Sequence, residues 1–267
     1  GSAPSAPMLM VARFFLGIAI GVSSFSVPLY IAEISPTRIR GTLVSLFQLL
    51  ITIGIMVSYL SDSIFTVPDN HPAYTECWRP MFYVGAIPAL IMFIGMIFLP
   101  ETPRWLISKG REEECRKVLQ KVEDPDLVED VISKMKNDLE EDRKHKVIWS
   151  EIFKKWLRVP LLIAIGIMFV QQFTGINTII YYSPKIFLMS GFADAQAAVW
   201  ASVSVGVVNV AFTILSLFLI DKLGRRKLYF IGLTGLVVAL IAMGTCFALQ
   251  ATLGDSIKWI TISLVWI

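Results

Sequence analysis

The sequence predicts an all-α, polytopic membrane bundle that carries a short helical domain on one face of the bilayer. Three observations predict it. The 267 residues are 55% hydrophobic with a mean hydropathy of +0.66, well above the range of a water-soluble domain of this size. Apolar runs long enough to cross a bilayer, which takes about 20 residues, occur at 8–31, 42–61, 80–99, 160–182, 196–220 and 228–250, and another starts near Ile257. The Lys and Arg residues sort to one side: segments 32–41, 101–158 and 221–227 hold two, fourteen and four of the 24. Cytoplasmic loops accumulate these residues, so the three segments are expected in the cytoplasm. The net charge of +3 therefore reports topology and gives no hint of nucleic acid as a partner.

The opening GSAPSAPML has neither an initiator Met nor a signal peptide and reads as an outer loop entered midway through a longer protein. In the first span Gly17 and Gly21 make a small-residue face for close packing. Arg13 is the one full charge deep in a span. An arginine at a helix centre costs about 2.5–3.5 kcal/mol on the insertion scale, so it calls for a carboxylate or carbonyl partner on another helix or for snorkelling to the outer surface. Segment 101–158 balances its fourteen Lys/Arg with fourteen Asp/Glu. There Thr102 and Pro103 read as an N-cap with proline at the first helical position. Cys115, Val118, Leu119 and Val122 form one helical stripe, DPD at 124–126 interrupts it, and Leu127, Val131, Met135 and Leu139 form the next. Either these stripes pack beneath the bundle or the segment is a solvated linker.

Polar residues inside spans point to function. On a helix advancing about 100° per residue, Ser45, Gln48, Thr52 and Tyr59 share one face, as do Ser202, Gly206, Asn209, Thr213 and Ser216. Such stripes bind one another or line a wet cavity; Ser and Thr also bond their own backbone. QQFTGINTIIYY at 171–182 differs. Gln171, Gly175, Thr178 and Tyr182 share a face, whereas Gln172, Asn177 and Tyr181 point elsewhere. Either a broad arc faces protein or the helix breaks near Gly175, and irregular backbone at membrane depth is tolerated only around a buried cavity. Each amide offers both a donor and an acceptor, which suits an uncharged, hydroxyl-rich ligand such as a sugar. His71 and His145 lie far apart in loops, the three cysteines (Cys77, Cys115, Cys246) form neither a disulfide framework nor a metal spacing, and no GxSxG, HExxH, CxxC or Walker motif occurs. No catalytic residue, metal or cofactor is expected.

Several motifs taken together resemble the sugar porters of the major facilitator superfamily, with bacterial galactose, xylose and arabinose proton symporters nearest in pattern. They are RFFLGIAIG with PLYIAEISPTRIRG, PETPRWLISKGR, QQFTGINTIIYYSP and DKLGRR, and FQLLITIGIMVSYLSD leans toward the galactose type. The resemblance implies a fragment running from helix 4 to the start of helix 10 of a twelve-helix fold. Residues 1–100 would belong to the N-terminal transmembrane half, 101–158 to a cytoplasmic helical linker domain and 159–267 to the C-terminal half. It implies that Gln48, Gln171, Gln172, Asn177, Tyr181 and Asn209 contact sugar hydroxyls, and that Arg13 takes part in proton coupling with an acid on helix 1. Glu33, Arg40, Glu101, Arg104, Asp221 and Arg225 would form cytoplasmic ion pairs that hold the two halves together. The expected activity is monosaccharide–proton symport by alternating access, by a multi-pass monomer in the plasma membrane, the inner membrane in a bacterium. A facilitative uniporter and a non-transporting sugar sensor of the same fold are the alternatives. Single cysteines at Ser133 and Lys227, in a cysteine-free complete protein, are expected to react with an impermeant thiol reagent from the cytoplasmic face only; labelling from outside overturns the topology.

Overall fold

A computed structural model describes residues 2–3, 5–36, 38–67, 76–144, 155–192, 194–249 and 256–266. The side chains of 142–144, 155–156, 221, 225 and 256 lie outside the described residues, and so do His71, His145 and the side-chain pairing expected of Asp221 and Arg225. The described residues form helices α1 (Ala6–Ile34), α2 (Arg40–Phe65), α3 (Trp78–Phe98), α4 (Pro103–Ser108), α5 (Glu112–Leu119), α6 (Val128–Lys144), α7 (Lys155–Phe173), α8 (Ile176–Met189), α9 (Ala195–Leu223), α10 (Arg225–Ala248) and α11 (Ser256–Trp266). Six segments are long and apolar enough to span a bilayer, α7 and α8 counting as one; the apolar helix Ile257–Trp266 is shorter. Every span expected from hydropathy is present. Neither α1 nor α3 buries a residue, and side chains such as Phe14 and Phe93, each 67% exposed, give both helices the apolar surface that lipid or a further helix requires.

The chain divides into two compact units, Ser45–Phe93 with Gly175–Ile267 (and the first four residues), and Ser5–Val44 with Ile94–Thr174. In the second unit, segment 101–144 has its own core: Leu106, Cys115, Val118, Leu119, Val128 and Ile132 are buried together, with Ile34, Ile107 and Val131 packed on them. The segment is thus a packed helical domain that reaches the end of α1, not a solvated strand of charge. Its first helix starts as the sequence predicts. The Thr102 hydroxyl accepts the Trp105 amide at 3.4 Å, and Pro103 follows at the first helical position. The second apolar stripe is shifted from its expected register. A 3₁₀ turn at Pro125–Leu127 puts Val128 and Ile132 in the core and leaves Leu127 47% exposed, because a 3₁₀ turn advances about 120° per residue in place of about 100°.

Charged residues tie the outside of this domain. Lys136 Nζ lies 2.6 Å from Glu112 Oε2, and this contact holds the Glu112 carboxyl below its ordinary range. The Arg116 Nε lies 2.8 Å from Glu129 Oε1 while its Nη2 donates to Glu129 Oε2 at 3.2 Å, and Arg111 grips both oxygens of Glu114, at 2.8 and 2.5 Å. These pairs are exposed and each stabilises little. Burial, with the Glu112 charge adding to it, pushes the Cys115 thiol up, so it behaves as a small core hydrophobe.

In the first unit α8 and α9 pack on α11 through Phe187, Ala198 and Val205, with Phe192, Ala201, Ile262 and Val265 around them. Helices α2 and α9 approach closely. A Cβ added at Gly206 would lie 2.9 Å from the Met56 Cα, a distance that only a backbone shift can relieve. Gly206→Ala is therefore expected to lower stability by about 1–3 kcal/mol, the usual cost of overpacking, read as a lower melting temperature in detergent. Gly54→Ala, with no neighbouring heavy atom within 4 Å of the added carbon, is the control and is expected to melt no lower than the parent, since alanine favours the helix over glycine.

Candidate functional site

The break in the polar segment sets the geometry. Helix α7 ends at Phe173, and Gly175 adopts φ +81°, in the left-handed region. A residue with a Cβ is disfavoured there, which is the local reason for glycine. Helix α8 starts at Ile176. The end of α7 is closed by Thr174, whose Oγ1 donates to the Gln171 carbonyl at 2.6 Å, while the Ile179 amide donates to the Gly175 carbonyl at 3.1 Å. Of the two arrangements open to the sequence, a broad arc or a broken helix, the structure has the second.

Of the residues expected to bind ligand, all but Asn209 are exposed on their helices. Gln171 and Gln172 occupy the last turn of α7; Asn177 and the 78%-exposed Tyr181 lie in the first two turns of α8. Gln48 is exposed on α2, and Asn209 is half-buried on α9. Asn209 keeps a local contact, with the Thr213 Oγ1 3.5 Å from its Oδ1. That hydroxyl donates to the Asn209 backbone carbonyl at 2.8 Å.

The hydroxyls in the same polar stripes behave differently. Thr52 is buried and donates to the Leu49 carbonyl at 2.8 Å. Tyr59 is buried, and its hydroxyl donates to the Ile180 carbonyl on α8 at 2.5 Å. Ser183 lies 3.2 Å from the Tyr59 oxygen and 3.0 Å from the Ser202 oxygen. Ser202 in turn donates to the Ala198 carbonyl at 3.0 Å. These hydroxyls thus join helices or satisfy local backbone, while Gln48, Gln171, Gln172 and Asn177 are exposed and Asn209 is half-buried. Sequence reasoning missed Ser183; its neighbour Pro184 was the available signal.

In the second unit Glu33, Glu101 and Arg104 line one cavity of about 610 Å³ together with Tyr30, Thr102 and Trp105. The Tyr30 hydroxyl donates to the Pro100 carbonyl at 2.8 Å, a cross-link that the sequence reading did not single out. The Arg40 Nη2 reaches the Ser35 carbonyl at 3.4 Å, at the end of α1. Arg13 is exposed on α1.

With this geometry in place, comparison with known proteins is informative. The whole chain, residues 1–267, matches the family described as "Sugar (and other) transporter". It is 36% identical over 250 residues to the galactose-proton symporter of Escherichia coli K12, covering 91% of this chain and 51% of that protein. It is 39% identical over 263 residues to a probable inositol transporter of Arabidopsis thaliana, covering 96% and 44%. Among solved structures, the xylose transporter XylE of E. coli in a partially occluded inward open conformation superposes with a TM-score of 0.80 at 31% identity, covering 97% of this chain and 56% of that one. The chain spans about half the length of the curated relatives it matches. All-helical, multi-pass and with the major facilitator fold of its structural neighbours, this chain belongs to the sugar transporter family, a family of transporters and not of enzymes.

Proposed function

We propose that the protein to which this chain belongs is a plasma-membrane secondary transporter that moves a monosaccharide or a similar cyclic polyol by alternating access, with proton symport as its driving reaction. Family membership supports sugar transport, and relatives named as proton symporters of galactose and arabinose support the coupling. The observation that carries the reading is the run of exposed amides on both sides of the Gly175 break. A neutral polyol both donates and accepts at every hydroxyl, and an amide is the uncharged side chain that can answer both. Helix breaks at membrane depth are where transporters of this kind place their substrates.

In this reading Gln48, Gln171, Gln172, Asn177, Tyr181 and Asn209 contact the sugar. Residues 1–100 and 159–267 contribute to opposite six-helix halves, and 101–158 is the linker domain. Glu33, Arg40, Glu101 and Arg104, with Asp221 and Arg225, are cytoplasmic gate charges. Sugar binding favours occlusion, and the gate charges pair and separate as the halves rock. Arg13 acts as a fixed cation that lowers the pKa of a helix-1 carboxylate and so forces proton release at one stage of the cycle.

Two measurements on the complete protein test this. Asn177→Ala and Gln171→Ala are each expected to weaken binding of galactose, xylose or inositol, whichever the parent binds, by several-fold to more than tenfold in calorimetry. A neutral hydrogen bond contributes about 0.5–1.5 kcal/mol, and stranding its partner costs more. Unchanged binding in both variants removes the amides from the site. Arg13→Leu is expected to abolish uphill accumulation driven by a pH gradient while sugar exchange across the same vesicles persists. Intact accumulation removes Arg13 from coupling, and parallel loss of binding, exchange and accumulation assigns it a structural role.

A further inference from the structure

Proline inside a helix leaves a carbonyl without its partner. Pro184 lies within α8, and the amide that would bond the carbonyl four residues earlier is the one proline lacks. That carbonyl belongs to Ile180. In a membrane an open carbonyl must be satisfied from elsewhere, and here the donor comes from a different helix: the Tyr59 hydroxyl of α2, at 2.5 Å. A second, longer contact to the same carbonyl comes from within α8, where the Ser183 Oγ donates at 3.2 Å. The surroundings are dry, since Tyr59 is 9% exposed and Ser183 and Ser202 are both fully buried. One turn away on each helix, Met56 and Gly206 bring the α2 and α9 backbones together, which fixes the height at which the phenol meets α8. All of these residues lie toward the helix ends remote from the Lys/Arg-rich loops, the outer ends in the topology that the charges predict.

We propose that Tyr59 is a latch on α8: its hydroxyl docks on the carbonyl that Pro184 leaves open and holds the segment carrying Asn177 and Tyr181 against α2 while the outer ends of these helices are together. The inference rests on the transport reading above and adds a positioning residue to it. Tyr59 itself needs no contact with sugar. When the outer ends separate, the phenol and the carbonyl both pass to water, so the bond favours the outer-closed state alone. An intrahelical bond, made in every state, would have no such preference. The proline is what converts a static helix bond into a state-dependent one.

The test uses the complete protein in proteoliposomes, cysteine-free except for the substitution Ser63→Cys. Ser63 is 1% exposed one turn beyond Tyr59, and its hydroxyl bonds only the Leu60 carbonyl of its own helix. Tyr59→Phe removes the hydroxyl and keeps the ring. Pro184→Ala restores the amide hydrogen, so that the Ile180 carbonyl bonds within α8 and the phenol loses its open acceptor. Each change is expected to raise the rate at which an impermeant maleimide labels the introduced thiol from outside about two- to tenfold, the range that loss of one neutral hydrogen bond gives. The double variant is expected to be no faster than the faster single one, because both remove the same bond. Folded fraction is followed in parallel by gel filtration and melting. Unchanged labelling with a lowered melting temperature assigns Tyr59 to packing and overturns the latch; independent, multiplying effects in the double variant overturn the pairing with Ile180. Failure of the parent to take up labelled galactose, xylose or inositol sinks the transport reading and leaves the labelling result intact, so the two failures are distinguishable.

Discussion

A backbone carbonyl or amide that leaves its helix bond inside a bilayer must find another partner, and this constraint organises the polar chemistry of the chain. Two residues of one short segment open such groups, Gly175 by leaving the right-handed region and Pro184 by lacking a hydrogen. The protein answers the two differently. Around Gly175 the side chains of Gln171, Gln172 and Asn177 remain exposed and polar; around Pro184 a buried phenol and two serines close the gap. One break is flanked by exposed amides and the other is closed by buried hydroxyls. That division separates exposed amides from buried hydroxyls that join helices.

The same division explains what the sequence could and could not reveal. Spans were legible throughout, because apolar length is a one-dimensional property and every expected run became a helix. The cap at Thr102 and Pro103 was legible for the same reason, being local. The linker's second stripe was displaced because one 3₁₀ turn, invisible to a constant angle per residue, rotated the face and exchanged Leu127 for Val128. For the polar stripes, arithmetic on single helices could say that Tyr59 and Ser202 face inward; it could not say toward what. The helix break was one of two options in the sequence, and only the φ of Gly175 chose between them.

Contacts across helices were the illegible part. Ser183 looked like one more hydroxyl in YYSP, and its role emerges only when α2 and α9 are placed on either side of it. Likewise Tyr30 gave no sign in the sequence of its bond to the Pro100 carbonyl, since 70 residues separate the two. The surroundings of the charges were equally hidden. Glu33, Glu101 and Arg104, three of the six residues expected in the cytoplasmic ion-pair network, line one cavity with Tyr30 and Trp105, two aromatic neighbours that the charge pattern does not announce.

Ile34, the last residue of α1, packs against the core of the helical domain at 101–144. Close-packed interiors transmit displacement and resist stretching, so the end of α1 is geared to α4–α6 as if bolted to a small wheel. Such a contact ties the domain to the helix end by packing as well as by the connecting chain. An apolar contact of this kind needs no ion pair, so the screening that weakens exposed charge pairs leaves it in place.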